Sequence, residues 1–365
     1  MIARRQFSQI FLSTLAVLSL PKAVLALPSV SDIPLTHASH HFMPTIEDDF
    51  GDGTQFKIIG VGGAGCNTVN HISDHRVPSV EYICVNTDAL ALGHCRAHKV
   101  IQLGTDGQGT GGRQDVAHEA ASQAEDEIRA AIEGTHMLFI IAGMGGGTGT
   151  GAAPVIARIA KNMGILTVGV VTMPFDFEGE HRRRNAEAGL SKLEAHVDSL
   201  IVLSNEKLLQ KMPNDVTQED AFGYVDDLIQ CAVCGVAEIM NVQGQVGVDF
   251  EDVRFVMSKP GTAKLANAIA SGPDRAQFAA EYALTSFSQE GIDLSEANGV
   301  LVLISGAKGS LILPDIRLAI KTIRKYTSPD STLIYGTTYD ESLKEKIKVT
   351  LVATGFNFGT GTTNV

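Results

Sequence analysis

Apolar runs of strand length alternate with stretches of helical periodicity through the first half of the chain. Phe56–Gly60, Tyr82–Val85, Met137–Ala142, Ile165–Thr172 and Leu200–Leu203 read as strands. Helical patterns lie near Asn67–Ile72, Val116–Glu133, Pro154–Lys161 and Asn185–His196. Strands spaced by helices in this way predict a parallel sheet covered on both faces. From Gln218 to about Val242, apolar positions such as Ala221, Val225, Leu228, Ile229, Ala232, Val236 and Ile239 follow a helical period of about 3.6 residues. They fall on more than one side, which predicts a long helix buried between two domains. Beyond it, a helix is expected over Asp252–Met257, strands at Val300–Ser305, Thr332–Gly336 and Lys348–Ala353, and a helix at Ile316–Tyr326. That second half reads as a smaller α+β domain.

In sheets of this kind ligands bind beyond the carboxyl ends of the strands, and three glycine clusters fall in such connections. Gly60-Val-Gly-Gly-Ala-Gly65 has the dinucleotide spacing of glycines at 60, 62 and 65, but taken alone it fits a tight strand-to-helix turn equally well. Gly107-Gln-Gly-Thr-Gly-Gly112 is the next cluster. The longest is Met144-Gly-Gly-Gly-Thr-Gly-Thr-Gly-Ala-Ala-Pro154, directly after the apolar run Met137–Ala142. Glycines 145, 146, 147, 149 and 151 leave backbone N–H groups uncovered, Thr148 and Thr150 add hydroxyl donors, and Pro154 suits the first turn of the helix that follows. A helix N-terminus behind such a turn carries unpaired N–H groups and a partial positive charge, so it favours polyanions. Three turns of this type in one region predict loops converging on a single phosphate chain. The run lacks a Gly-Lys-Ser/Thr ending, which separates it from the ordinary P-loop.

The segments Gly60–Asn67, Val85–Asp88, Ala142–Gly151, Pro174–Gly179 and Val248–Val253 together resemble the bacterial FtsZ family of the tubulin/FtsZ superfamily, in order from about Phe56 to about Phe356. The resemblance implies an α/β fold: a Rossmann-type GTP-binding domain with a parallel sheet over residues 43–217, a long central helix over 218–243, and a smaller α+β activation domain over 244–365. It implies a GTPase of cell division that polymerises head to tail, with GTP as its nucleotide and Mg2+ beside the phosphates. Phosphate contacts are expected from Gly62, Gly63, Ala64 and Gly65, from Gly145, Gly146, Gly147, Thr148, Gly149 and Thr150, and from Gly109, Thr110, Gly111 and Gly112 near the terminal phosphate. By resemblance, Glu178 meets the ribose and Arg182 a phosphate; read alone, Arg182-Arg-Arg184 fits a solvated face. The base is expected to stack on Phe222, with Asp226 or Asp227 accepting from guanine N1 and N2 and Asn67 at its other edge. The glycine loops hold no base or carboxylate to polarise a water. Asp249 and Asp252 sit three residues apart at a helix start, where their spacing alone favours capping. In the family this loop enters the next subunit's pocket, which makes them the catalytic candidates.

Composition narrows the partners. The chain has 365 residues, 44% hydrophobic and 19% charged, with a net charge of -12, which argues against nucleic acid. Five cysteines, at 66, 84, 95, 231 and 234, suggest no disulfide framework and a reducing compartment. Cys231-x-x-Cys234 lies in the apolar helical stretch, where one turn of spacing fits packing, and no second pair completes a zinc site. The start conflicts with a reducing compartment: Met1-Ile-Ala-Arg-Arg followed by Ile10–Leu20 has the layout of a twin-arginine signal peptide. GTP is intracellular, so residues 1–42 are read as a leader-like upstream extension or, as the alternative, an anchor, with the working start at Met43 and a cytoplasmic, division-site location.

Three departures from the family pattern bear on turnover. Gly247 stands where an Asn usually helps to hold the water, Arg113 replaces an Asn at the end of the Gly107–Gly112 loop, and Met173 replaces a Lys before Pro-Phe. The chain also stops at Val365 without the tail that grips membrane adaptors, which puts those partners in doubt. Alternatives therefore stay open: a weakly hydrolysing paralogue that co-assembles with or regulates full-length FtsZ, a specialised membrane or organelle role such as one at magnetosomes, or a NAD-dependent enzyme using Gly60, Gly62 and Gly65. The last leaves Gly145–Gly151 unexplained.

Overall fold

The computed structural model describes residues 55–74, 80–210, 212–213, 215–241, 248–259, 261–289 and 291–356. The leader-like segment 1–42, the Met43 start, Gly247 and the chain's end lie outside the described residues, as do the side chains of Cys231 and Cys234.

The elements in order are β1 (Phe56–Val61), α1 (Gly62–Asp74), β2 (Val80–Asn86), α2 (Ala89–Leu92), β3 (Lys99–Gln102), α3 (Gln114–Gln123), α4 (Glu125–Ile132), β4 (Met137–Gly143), α5 (Thr148–Asn162), β5 (Leu166–Met173), α6 (Glu180–Glu194), β6 (Ser199–Ser204) and α7 (Asn205–Leu209). There follow α8 (Gln218–Asn241), α9 (Phe250–Met257), β7 (Thr262–Ala270), α10 (Arg275–Gln289), β8 (Gly299–Gly306), α11 (Leu313–Arg324), β9 (Thr332–Tyr339) and β10 (Ile347–Phe356). Strands β3-β2-β1-β4-β5-β6 run parallel, the doubly wound order that places a ligand crevice beyond their carboxyl ends. The sheet continues through one parallel pair, Leu200 with Thr262, into β7, which pairs antiparallel with β10; β8 and β9 complete it.

Burial follows from the sequence patterns. Every residue of β1 is buried, as expected for a strand covered on both faces, and α5 packs its Ala-rich stripe (Ala152, Ala153, Ile156, Ala157, Ala160) into the core on one side. On the other side α8 buries Val225, Ile229, Val233 and Val236 in a cluster shared with Ile58 and Tyr82 of the first sheet half and Leu301, Leu303 and Val352 of the second. The central helix thus joins the two halves of one core. The second half holds its own cluster, in which α10 contributes Ala276, Ala279, Ala280, Ala283 and Phe287.

Several helices differ in extent from their sequence patterns. The Val116–Glu133 stretch is two helices broken at Ala124. Helix α1 starts at Gly62 and α5 at Thr148, each inside its glycine run, so Pro154 lies well within α5 instead of in its first turn. Small residues let these helices begin as soon as the strand ends, which brings their first N–H groups to the crevice.

Candidate nucleotide site

At the carboxyl ends of β1, β2, β3 and β4 the chain turns four times toward one place. The two glycine helices cross closely: a Cβ added at Gly62 would fall 2.8 Å from the N of Gly149, and one at Gly65 would fall 2.3 Å from the Ile141 carbonyl oxygen. Gly149 and Gly151 are likewise packing positions, against the Gly143 and Gln114 carbonyls at 2.6 and 2.2 Å. Gly63 and Gly146, by contrast, face open space, and so do Gly109, Gly111 and Gly112. The glycine run therefore divides into residues that let the loops meet and residues that bare amides to a ligand.

The Gly107–Gly112 loop leans on the longest one, because Thr110 is buried with its hydroxyl where a Gly147 Cβ would sit. Thr87, at the end of β2, bonds the Thr148 hydroxyl at 2.7 Å and so ties β2 to the start of α5. The Asn86 side chain shapes that turn by accepting from the Thr87 N–H. The Thr150 hydroxyl is buried and accepts from Gly145 N–H at 2.9 Å, so it fixes the turn from behind.

On the flank, Gly145 at φ 97° lies against the backbone of Arg182 in the first turn of α6. Glu178 accepts from the Phe175 N–H and pairs with the Arg182 guanidinium, so the two residues expected at ribose and phosphate hold each other here. Arg183 and Arg184 pair with Glu180 on the surface, as a solvated face would.

The start of α8 supplies the base-sized end of the site. Phe222 is 42% exposed and meets Phe175 edge-on at 5.6 Å. Asp226 follows one turn later on the same face. Its carboxylate accepts from Thr68 of α1 at 2.5 Å, and burial raises its pKa, with the Thr68 hydrogen bond acting in opposition. Asp227 turns instead to His71, at 2.8 Å. Asn67 is exposed on α1, beside Thr68. No separate sequence signal marks Thr68 or His71, and Thr87 stands out only within the Val85–Asp88 segment: each is an ordinary helix or turn residue until the fold sets α1 beside α8 and β2 beside α5.

Asp249 and Asp252 lie elsewhere. They form a capping box at the start of α9, Asp249 accepting from the Asp252 N–H at 2.8 Å and Asp252 from the Asp249 N–H at 3.4 Å. Phe250 between them packs edge-on against His136 at 6.0 Å, just before β4 begins. The glycine run follows the far end of that seven-residue strand, a separation of about 23 Å at strand rise. The two carboxylates are thus at the amino edge of the sheet, remote from the amides of their own chain.

Comparison with known proteins agrees with this anatomy. Residues 55–213 match the model of the Tubulin/FtsZ family, GTPase domain, and residues 261–357 that of the FtsZ family, C-terminal domain. The chain is 44% identical to the cell division protein FtsZ of Buchnera aphidicola subsp. Schizaphis graminum over 302 residues, 82% of this chain and 78% of that protein. It is 44% identical to that of Azotobacter vinelandii over 84% of this chain and 79% of the relative. The M. jannaschii FtsZ dimer superposes with a TM-score of 0.75 at 38% identity, covering 83% of this chain and 88% of that one. The converging amide-bearing helix starts and the matches across both halves show that the chain belongs to the FtsZ branch of the tubulin/FtsZ family, the GTPases that polymerise for cell division.

Proposed function

We propose that each subunit holds GTP between its two glycine helices and that Asp249 and Asp252 of the next subunit in a head-to-tail filament complete the hydrolytic site. The observation that carries this reading is the placement of the two carboxylates at the opposite edge of the sheet from the crevice of their own chain. An interface joining one edge to the other is heterologous and propagates as an open filament.

Within the site, the amides of Gly62–Gly65 and Gly145–Gly149 and the Thr148 hydroxyl bind the phosphates, and Gly109–Gly112 closes on the terminal one. Phe222 stacks on the guanine, Asp226 accepts from N1 and N2, and Asn67 faces the other edge. Glu178 and Arg182 part from each other to meet ribose and phosphate. Neither glycine helix start contains a carboxylate, so Mg2+ would be held by phosphate oxygens and water with the Thr87 and Thr148 hydroxyls near, as its preference for retained waters allows. Bound there, it would offset charge on the phosphates. Asp249 and Asp252 would orient the attacking water. The chain works in the cytoplasm at the division site; among the described residues no helix is long and apolar enough to cross a membrane.

The reading is tested by turnover per molecule against protein concentration. Activity is expected to rise steeply as subunits assemble, and Asp252→Ala is expected to abolish hydrolysis while leaving GTP affinity unchanged. Turnover that stays flat on dilution would contradict a shared site.

A further inference from the structure

Cys66 in α1, Cys84 in β2 and Cys95 just past α2 come from three separate segments, yet their sulfurs all lie within 4.8 Å of one another. All three are free thiols; Cys66 and Cys84 are buried and Cys95 is half-buried, which leaves a path from solvent. Their other contacts are long and weak: Cys66 Sγ is 3.6 Å from the Gly60 carbonyl oxygen and 3.7 Å from that of Val85, and Cys95 Sγ is 3.6 Å from that of Ala91. The hydrogen bond with Cys66 and burial push the Cys84 thiol far above the ordinary thiol range, and burial pushes Cys95 up to about 11. Left alone, Cys84 and Cys95 stay protonated and inert.

Metal–sulfur bonds of about 2.3 Å set three sulfurs about 4 Å apart in a trigonal plane. Starting from 4.8 Å or less, each sulfur has to close by at most about half an ångström to reach that geometry. We propose that Cys66, Cys84 and Cys95 form a three-sulfur site for one soft, thiophilic metal cation, behind the phosphate-binding start of α1. An all-sulfur donor set selects soft ions over magnesium or calcium, and the open side at Cys95 leaves room for water where a fourth ligand is wanted. Binding makes three metal–sulfur bonds and releases the thiol protons to solvent; no electrons change hands. Cys66 follows Gly65 directly, so an ion drawing Cys66 toward β2 pulls on the turn whose amides face the nucleotide.

Titration of Cd(II) into the reduced full chain, followed by its thiolate-to-metal charge-transfer absorption, tests the site. Saturation at one ion per chain is expected, with the band lost in Cys95→Ala and in Cys84→Ala but kept when Cys231 and Cys234 are both replaced by Ala. Circular dichroism and GTP binding establish that each variant is folded; the half-buried Cys95 is the position where a truncation disturbs the core least. No band in the parent protein, or a band that survives in folded Cys95→Ala, overturns the proposal.

Discussion

Asp226 and Asp227 are adjacent carboxylates with different surroundings, and the difference predicts different work. Asp226 faces α1 and is half-buried, and burial disfavours its charged form and raises its pKa. The sign follows: between the ordinary carboxylate pKa and the raised one, the folded chain holds a proton that the unfolded chain has released. This group's contribution to stability therefore declines as pH rises through that window. Guanine N1 and N2 donors favour the carboxylate, so GTP affinity is expected to fall as pH drops into the same window. Calorimetric titration at mildly acid and neutral pH checks this, and equal affinities would count against Asp226 as the acceptor. Replacing one charged acceptor costs about 1.5–3 kcal/mol, so Asp226→Asn is expected to weaken GTP roughly tenfold to a hundredfold. Asp227, with its side chain 56% exposed and paired to His71, is expected to lose under about 1 kcal/mol on the same change.

Among the elements, α5 shows how much of a glycine run is packing and how much is ligand contact. Gly151→Ala would place a methyl 2.2 Å from the Gln114 carbonyl oxygen and 2.9 Å from the Ala117 side chain, and overpacking of this kind costs about 1–3 kcal/mol. Gly146→Ala meets nothing within 4 Å, so its methyl points into ligand space; stability should be nearly unchanged while GTP affinity falls about tenfold or more. Denaturant melts paired with nucleotide titrations separate the two, and a Gly146→Ala protein that binds GTP normally would remove this residue from the site. The same division explains what was legible in the sequence. The long apolar strands β1, β4, β5 and β8 and the α8 period carry strong local patterns and are found close to their predicted bounds. Strand β7, Thr-Ala-Lys-Leu-Ala-Asn-Ala-Ile-Ala, was missed because alanine has little strand preference and its burial depends on β10 and α10. Four-residue β3 is too short to show a period. The glycine loops suggest a phosphate site from sequence alone, but which glycines pack and which face open space, and that the Thr150 hydroxyl is buried, depend on contacts between loops far apart in sequence.

At the scale of the whole molecule, α8 spans 24 residues, about 36 Å of helix, with the residues proposed to read the base near its beginning and the Asp249–Asp252 capping box beyond its end. Capping and catalysis are compatible uses of that pair: the box holds two carboxylates at an exposed helix start, the arrangement needed to present them to a neighbour. If the halves of the active site belong to different chains, defects in the two halves should complement. Asp252→Ala binds GTP but offers a dead edge; Gly146→Ala offers a live edge but binds GTP poorly. At GTP concentrations well below the weakened affinity of Gly146→Ala, each alone is expected to be nearly inactive. Mixed at equal concentration, Asp252→Ala subunits should have their GTP hydrolysed by Gly146→Ala neighbours, restoring up to about one quarter of parental turnover if neighbours assort at random, since a live pocket must meet a live edge. Co-sedimentation of the mixture shows whether both variants enter the polymer. A co-sedimenting mixture with no recovered activity would place both halves of the chemistry within one chain, and the separation between α9 and the glycine helices would then demand a rearrangement far larger than a loop closure.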